Sequence, residues 1–192
     1  MSEKPERSDP FVSLRNQFLV SMPGLVDSIF ARSVTYICDH SPQGAMGIII
    51  NHPLGITLDE VFQQLLLEPS EDHHSPVLAG GPVNTQQGLV LHRKEGSWQS
   101  TMEITSEICI TASKDIIEAM ASGKGPKHAQ LVLGYAGWSE GQLEEELGNN
   151  CWLTLPADER IIFEVPTEDR WNAVAEGLGI DLNLISNQLG HA

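Results

Sequence analysis

Ser33-Val-Thr-Tyr-Ile-Cys-Asp-His-Ser-Pro-Gln-Gly-Ala-Met-Gly-Ile-Ile-Ile-Asn51 is the stretch that decides the fold class. It holds two runs rich in Val, Ile and Tyr, Ser33–His40 and Ala45–Asn51, separated by a Ser-Pro-Gln-Gly turn, and both read as strands. Gly47-Ile48-Ile49-Ile50 is apolar without alternation, so this strand is expected to be covered on both faces. Upstream, Gln17–Ser21 reads as another strand; downstream, Asn51 and His52 lead into Pro53-Leu54-Gly55, read as a turn. Three strands in succession before any helix exclude strict βαβ alternation. They favour an α+β fold with a mixed sheet over a doubly wound one.

The rest of the chain follows that grammar. Thr57 and Glu60 have capping-box spacing, and Leu58, Val61, Phe62, Leu65 and Leu66 form a helical stripe that should end near Pro69. Strands are then predicted at Val77–Ala79, Gly88–His92, Thr101–Ile104 and Ile108–Thr111. A helix follows from Ser113 to Gly123, then a strand at Gln130–Tyr135 and a helix from Ser139 to Gly148 with Gln142 in the capping-box place. Cys151–Leu155 and Arg160–Val165 read as strands. After Pro166, Thr167 caps a helix with Trp171, Val174, Ala175 and Leu178 inward, and a short last helix is expected near Asp181–Gln188. Residues 1–16 are expected to form a flexible tail, and 17–192 a single domain with no internal repeat.

Charge narrows the function classes. Eleven basic against 26 acidic residues leave −15, and the segment Ser139–Ala192 carries only Arg160 and Arg170 against 11 carboxylates. Such a surface repels phosphate, and no basic arm or zinc-finger spacing offsets it, which argues against direct nucleic-acid binding. No run of apolar residues is long enough for a membrane helix. Cys38, Cys109 and Cys151 are odd in number and widely spaced, and Met1–Pro10 lacks an apolar export signal, so the expected compartment is the cytoplasm.

Reaction machinery is sparse. No phosphate-binding loop and no dinucleotide fingerprint occurs. The seven histidines (His40, His52, His73, His74, His92, His128 and His191) match no zinc spacing, so no metal or cofactor is assigned, and Asp72-His73-His74 reads as a solvated loop. Cys38 and His40, two apart on a strand, should share a face; a thiolate–imidazolium couple there is the enzymatic alternative, a small hydrolase. Against it, a strand places their Cβ atoms roughly 6–7 Å apart, and Cys38 suits a core position better. A Ser21–His40–Asp27 trio lacks a nucleophile elbow. Gly80-Gly81-Pro82-Val83 reads as a tight turn or a cleft lining. Tyr135 and Trp138, where a strand meets a capped helix, are core lids or the seat of a planar or anionic ligand.

The same words carry a family resemblance. Phe18-Leu-Val-Ser-Met-Pro-Gly24, Val34–His40, Gly44–Asn51 with Pro53, Gly80–Val83, Gly134-Tyr-Ala-Gly-Trp138, Gly141–Glu144, Trp152-Leu153, Pro156-Ala-Asp158 and Gly190-His-Ala192 stand in order and spacing that resemble the YqgE/AlgH family of bacterial proteins. Asp39 stands where relatives commonly have Glu. The resemblance implies an α+β fold with a mixed, barrel-like curled sheet flanked by helices, and a link to transcriptional regulation of alginate production. It supplies no catalytic set to transfer. With −15 charges, such a role would act through a small ligand or a protein partner. The expectation is therefore a non-enzymatic binding or regulatory domain whose site gathers Pro23, Gly24, Asp27, Asn51, Gly80, Gly81, Tyr135 and Trp138. Ligand identity and oligomeric state are left open.

Overall fold

The computed structural model describes residues 11–22 and 28–179. Ten strands and five helices occur among them: β1 (Gln17–Ser21), β2 (Val34–Ser41), β3 (Gly44–Ile49), β4 (Pro53–Thr57), α1 (Leu58–Gln64), β5 (Pro76–Ala79), β6 (Val83–Arg93), β7 (Thr101–Glu103), β8 (Ile108–Thr111), α2 (Lys114–Ala121), β9 (Ala129–Ser139), α3 (Gln142–Gly148), β10 (Trp152–Pro156), α4 (Glu159–Phe163) and α5 (Arg170–Leu178). The strands form one curled, half-barrel sheet in the order β10-β1-β2-β3-β9-β6-β8-β7, as an α+β domain should. Its long member β9 pairs with β6 along one edge; along the other it pairs first with β5, in parallel, and then with β3. That single parallel ladder makes the sheet mixed.

Period-two alternation explains how both faces are buried. Phe18, Val20, Tyr36, Ile48, Ile50, Leu89, Leu91 and Val132 point to one face, where Ile162 of α4 and Trp171 and Val174 of α5 complete the main core. On the opposite face, Val77, Val90 and Leu131 meet Phe62 of α1 and Ile116 and Met120 of α2. Farther along that face, Leu19, Ile37, Ala136 and Trp138 meet Leu143 of α3. The unalternating Ile48–Ile50 run is buried throughout, as its composition requires. Arg170 ties α5 to the sheet by donating to the carbonyls of Val165 (3.0 Å) and Ile50 (2.5 Å); burial lowers its pKa to about 10, so it stays charged at neutral pH.

Three expectations need correction. Arg160–Val165, read as a strand from its β-branched residues, is helical over Glu159–Phe163. The Asp158 side chain caps it by accepting the Arg160 N–H at 2.8 Å, and Ile162 reaches the main core. Pro53-Leu54-Gly55, read as a turn, begins a short strand, Pro53–Thr57, that pairs with β5 in an irregular register. Residues 13–16, assigned to the tail, run along β2: Leu14 and Asn16 donate backbone N–H groups to His40 Nδ1 (2.8 Å) and the Ile37 carbonyl (2.9 Å). The helix expected near Asp181–Gln188 lies outside the described residues.

Candidate functional site

The Cys38–His40 couple of the enzymatic alternative is divided by a β-bulge. Against β3, Ile37 pairs with Gly47 and Asp39 with Met46, so Cys38 is the extra residue and the alternation slips there. Cys38 points into the main core with Tyr36, fully buried, and its thiol lies 3.6 Å from the Tyr36 carbonyl. Burial, reinforced by the Asp39 charge, pushes its pKa far up, the reverse of what a nucleophile needs. His40 points to the opposite face. Its Nδ1 accepts from Leu14, so Nε2 carries the proton and donates to Glu144 Oε1 of α3 at 2.9 Å, while Phe11 packs edge-on at 4.8 Å. Both ring nitrogens are thus engaged in holding residues 11–14 and α3 against β2. In the Ser21–His40–Asp27 trio, the Ser21 hydroxyl accepts the Ser33 N–H at 2.9 Å, and Asp27 lies outside the described residues.

Of the loops expected to gather a ligand, those at Gly80–Val83 and Gly134–Trp138 meet, and backbone fills the space between them. Gly80 donates to the Leu133 carbonyl and accepts from Ile49, both at 2.8 Å, so it knits β3, β5 and β9 together. A Cβ on Gly134 would lie 2.6 Å from the Gly81 carbonyl oxygen and 2.9 Å from that of Val83. Glycine is required here for strand-on-strand approach, and Gly80 and Gly81 are buried. Asn51 sits close by, its side chain accepting from Val34 N–H at 2.7 Å and donating to the Arg32 carbonyl at 2.8 Å. Tyr135 is half-buried against the main core, whereas Trp138 lies on the opposite face. There Trp138 and Trp152 both donate their indole N–H to Glu146 Oε2 at 2.8 Å, and Gln142 donates to the other oxygen at 3.0 Å. Pro23 and Gly24, like Asp27, lie outside the described residues.

A well-formed concavity lies elsewhere, between the loop that follows α1 and the loop that follows α2. It has a volume of about 260 Å³, with Leu58, Met120 and Ala129 as its apolar lining and Glu71, His73, Ser75 and Lys127 as its polar groups. Its walls are pinned. Both oxygens of Asp59 accept the His73 N–H at 2.9 Å, Leu58 N–H donates to Ser75, Ser70 N–H donates to Ala121, and Lys127 N–H donates to Glu95 Oε2 at 2.9 Å. The His73 ring packs at right angles on Phe62 at 5.3 Å, and its Nε2 is buried with no hydrogen-bond partner. Glu71 and Lys127 are exposed and make no ion pair among the described residues. Residues 72–74 form a loop with Asp72 and His74 exposed, as expected, and His73 is the member turned inward. The usable signal was Gly123-Lys-Gly-Pro126, a compact turn able to close over the end of a helix.

A second hollow of about 190 Å³ contains His92, Lys94, Trp98, Glu103 and Cys109. Its charges already neutralise each other, Lys94 to Glu103 at 2.6 Å. His92 is also engaged: Nδ1 donates to the Arg93 carbonyl at 2.7 Å and Nε2 accepts from the Thr111 hydroxyl at 2.8 Å. Among the described residues no three His, Cys, Asp or Glu side chains are placed to hold a metal ion.

Comparison with known proteins places this geometry in context. A family model described as AlgH-like matches residues 18–183. A "UPF0301 protein" of Saccharophagus degradans is 57% identical over 98% of this chain and 93% of its own, and one of Thioalkalivibrio sulfidiphilus is 51% identical over 92% and 96%. The solution structure of the AlgH protein from Pseudomonas aeruginosa superimposes with a TM-score of 0.78 at 44% identity, covering all of both chains. A Corynebacterium diphtheriae crystal structure, with TM-score 0.68 at 21% identity over 94% of each chain, shares the fold.

Proposed function

The chain belongs to the AlgH-like family, and on that premise we propose that it is a non-enzymatic binding domain whose ligand, a small polar metabolite, sits in the cleft between the loops after α1 and α2. The observation that supports the reading is the lining of the cleft: Leu58, Met120 and Ala129 stand beside Glu71, His73, Ser75 and Lys127 around a volume of about 260 Å³. The mix of apolar lining with a few convergent polar groups is the usual make-up of a small-molecule site. The cytoplasm suits a chain whose three cysteines are free thiols, and among the described residues no helix is long and apolar enough to cross a membrane. A regulatory role then passes through ligand-dependent contacts with a protein partner, because the −15 surface disfavours DNA.

The enzymatic alternative built on Cys38 or His40 loses its support from the bulge that turns the two side chains to opposite faces. A fragment library screened by NMR on protein carrying labelled methionine methyls tests the cleft. Binders should move the Met120 methyl signal and raise the thermal midpoint, since a ligand that binds only the folded state stabilises it. Binders that leave Met120 unmoved, or no binders at all, would refute the assignment.

A further inference from the structure

We infer that the ligand of this cleft is an amino-acid-sized zwitterion carrying an apolar side chain; the inference rests on the cleft being the binding site. Three observations converge. First, the polar lining offers opposite charges from the two facing loops, Glu71 after α1 and Lys127 after α2. Among the described residues neither makes an ion pair, so each charge is open to a ligand. A dianion would be repelled by Glu71 and a plain cation by Lys127, and a neutral molecule would use neither charge. A molecule bearing one charge of each sign answers both. Second, His73 stands among the lining residues, its backbone N–H held by both Asp59 oxygens. Third, Leu58, Met120 and Ala129 give an apolar surface for a side chain, and about 260 Å³ falls just under the range typical of drug-sized sites. The ligand carboxylate is assigned to Lys127 and its ammonium to Glu71.

The test uses the full chain, the Met120 methyl signal and the thermal midpoint, with the twenty proteinogenic L-amino acids at millimolar concentration. At least one apolar amino acid should move Met120 and raise the midpoint. Its N-acetyl and carboxamide derivatives, which each lack one charge, should bind about tenfold or more weakly. Lys127→Gln should weaken the parent by a similar factor but barely change binding of the carboxamide, and Glu71→Gln should do the same for the N-acetyl form. If either variant fails to fold, the blocked derivatives on the unaltered protein still decide. Equal binding of parent and derivatives overturns the inference. So does movement of Met120 by neutral or singly charged compounds but by no amino acid, an outcome that leaves the cleft itself standing; silence of Met120 towards every compound removes both.

Discussion

At the scale of single residues, burial sets which groups can react and when they titrate. Cys38 and Cys109 are 0% and 1% exposed, and burial raises both thiol pKa values; Cys151 is half-buried. Thiolate is the reactive form, so a chromogenic disulfide should label Cys151 first in the native protein and reach Cys38 only on unfolding. Fast labelling of Cys38 in folded protein would contradict the core assignment. The histidines give a pH prediction. Burial lowers the pKa of His92 and of His52 below the ordinary value of 6.5. The unfolded chain therefore takes up protons that the folded rings refuse, and the unfolded state binds more protons on the acid side of 6.5. The stability they contribute is complete above the unfolded value and lost as pH falls below it towards the depressed folded values. Thermal midpoints should drop from pH 7 to pH 5, and His92→Gln should flatten part of that slope. An unchanged slope in the variant would show that His92 titrates normally.

At the scale of elements, two glycines separate close approach from mere permissiveness. Gly134 has φ +73°, and its missing Cβ would collide with the carbonyls of Gly81 and Val83. Gly134→Ala should cost about 3 kcal/mol, summing left-handed strain and overpacking. Gly148, the last residue of α3, has open space around it, so Gly148→Ala should gain about 0.5–1 kcal/mol in denaturant melts. Opposite signs from one chemical change would locate the constraint at the β5–β9 junction; matching signs would dissolve it. The elements that were legible are those whose own residues carry the signal: the stripe of α1 with its Thr57–Glu60 box, where the carboxylate accepts the Thr57 N–H at 2.7 Å, and the strand Ile108–Thr111. What stayed hidden depends on partners remote in sequence. The polar stretch Asn84–Gln87 belongs to β6 because β9 pairs around it, and Ile161–Phe163 is helical because Asp158 caps it and α5 packs beside it. The Cys38 bulge likewise needs β3 opposite to define it, and no strand periodicity within β2 announces it. The cleft is legible least of all, since its two walls are separated by some fifty residues of chain and come together only in the folded protein, through the packing of α1 and α2 in one cluster and the Ser70–Ala121 bond.

At the scale of the whole molecule, self-repulsion competes with ion pairing. Five close Lys or Arg contacts with carboxylates occur among the described residues, all between partly exposed members, and exposed pairs contribute only about 0–1 kcal/mol each. Salt weakens these attractions, but it also screens the repulsion among 26 carboxylates that 11 basic residues cannot neutralise. At 0.1 M salt the screening length is about 10 Å, shorter than most separations within the excess negative charge yet longer than a contact pair. Repulsion is therefore screened more than pairing, and the thermal midpoint should rise with sodium chloride. The same field governs nucleic acid. Attraction to a duplex comes from releasing counterions through clustered Lys and Arg, and here Arg15, Arg93, Lys94 and Lys114 already face carboxylates. The purified chain should leave duplex DNA unshifted in a gel at physiological salt, with or without a cleft ligand. A shift that weakens steeply as salt rises would mean that phosphate finds basic residues outside these pairs, such as Lys124 and Lys127, and the regulatory route through a partner protein would give way to direct contact.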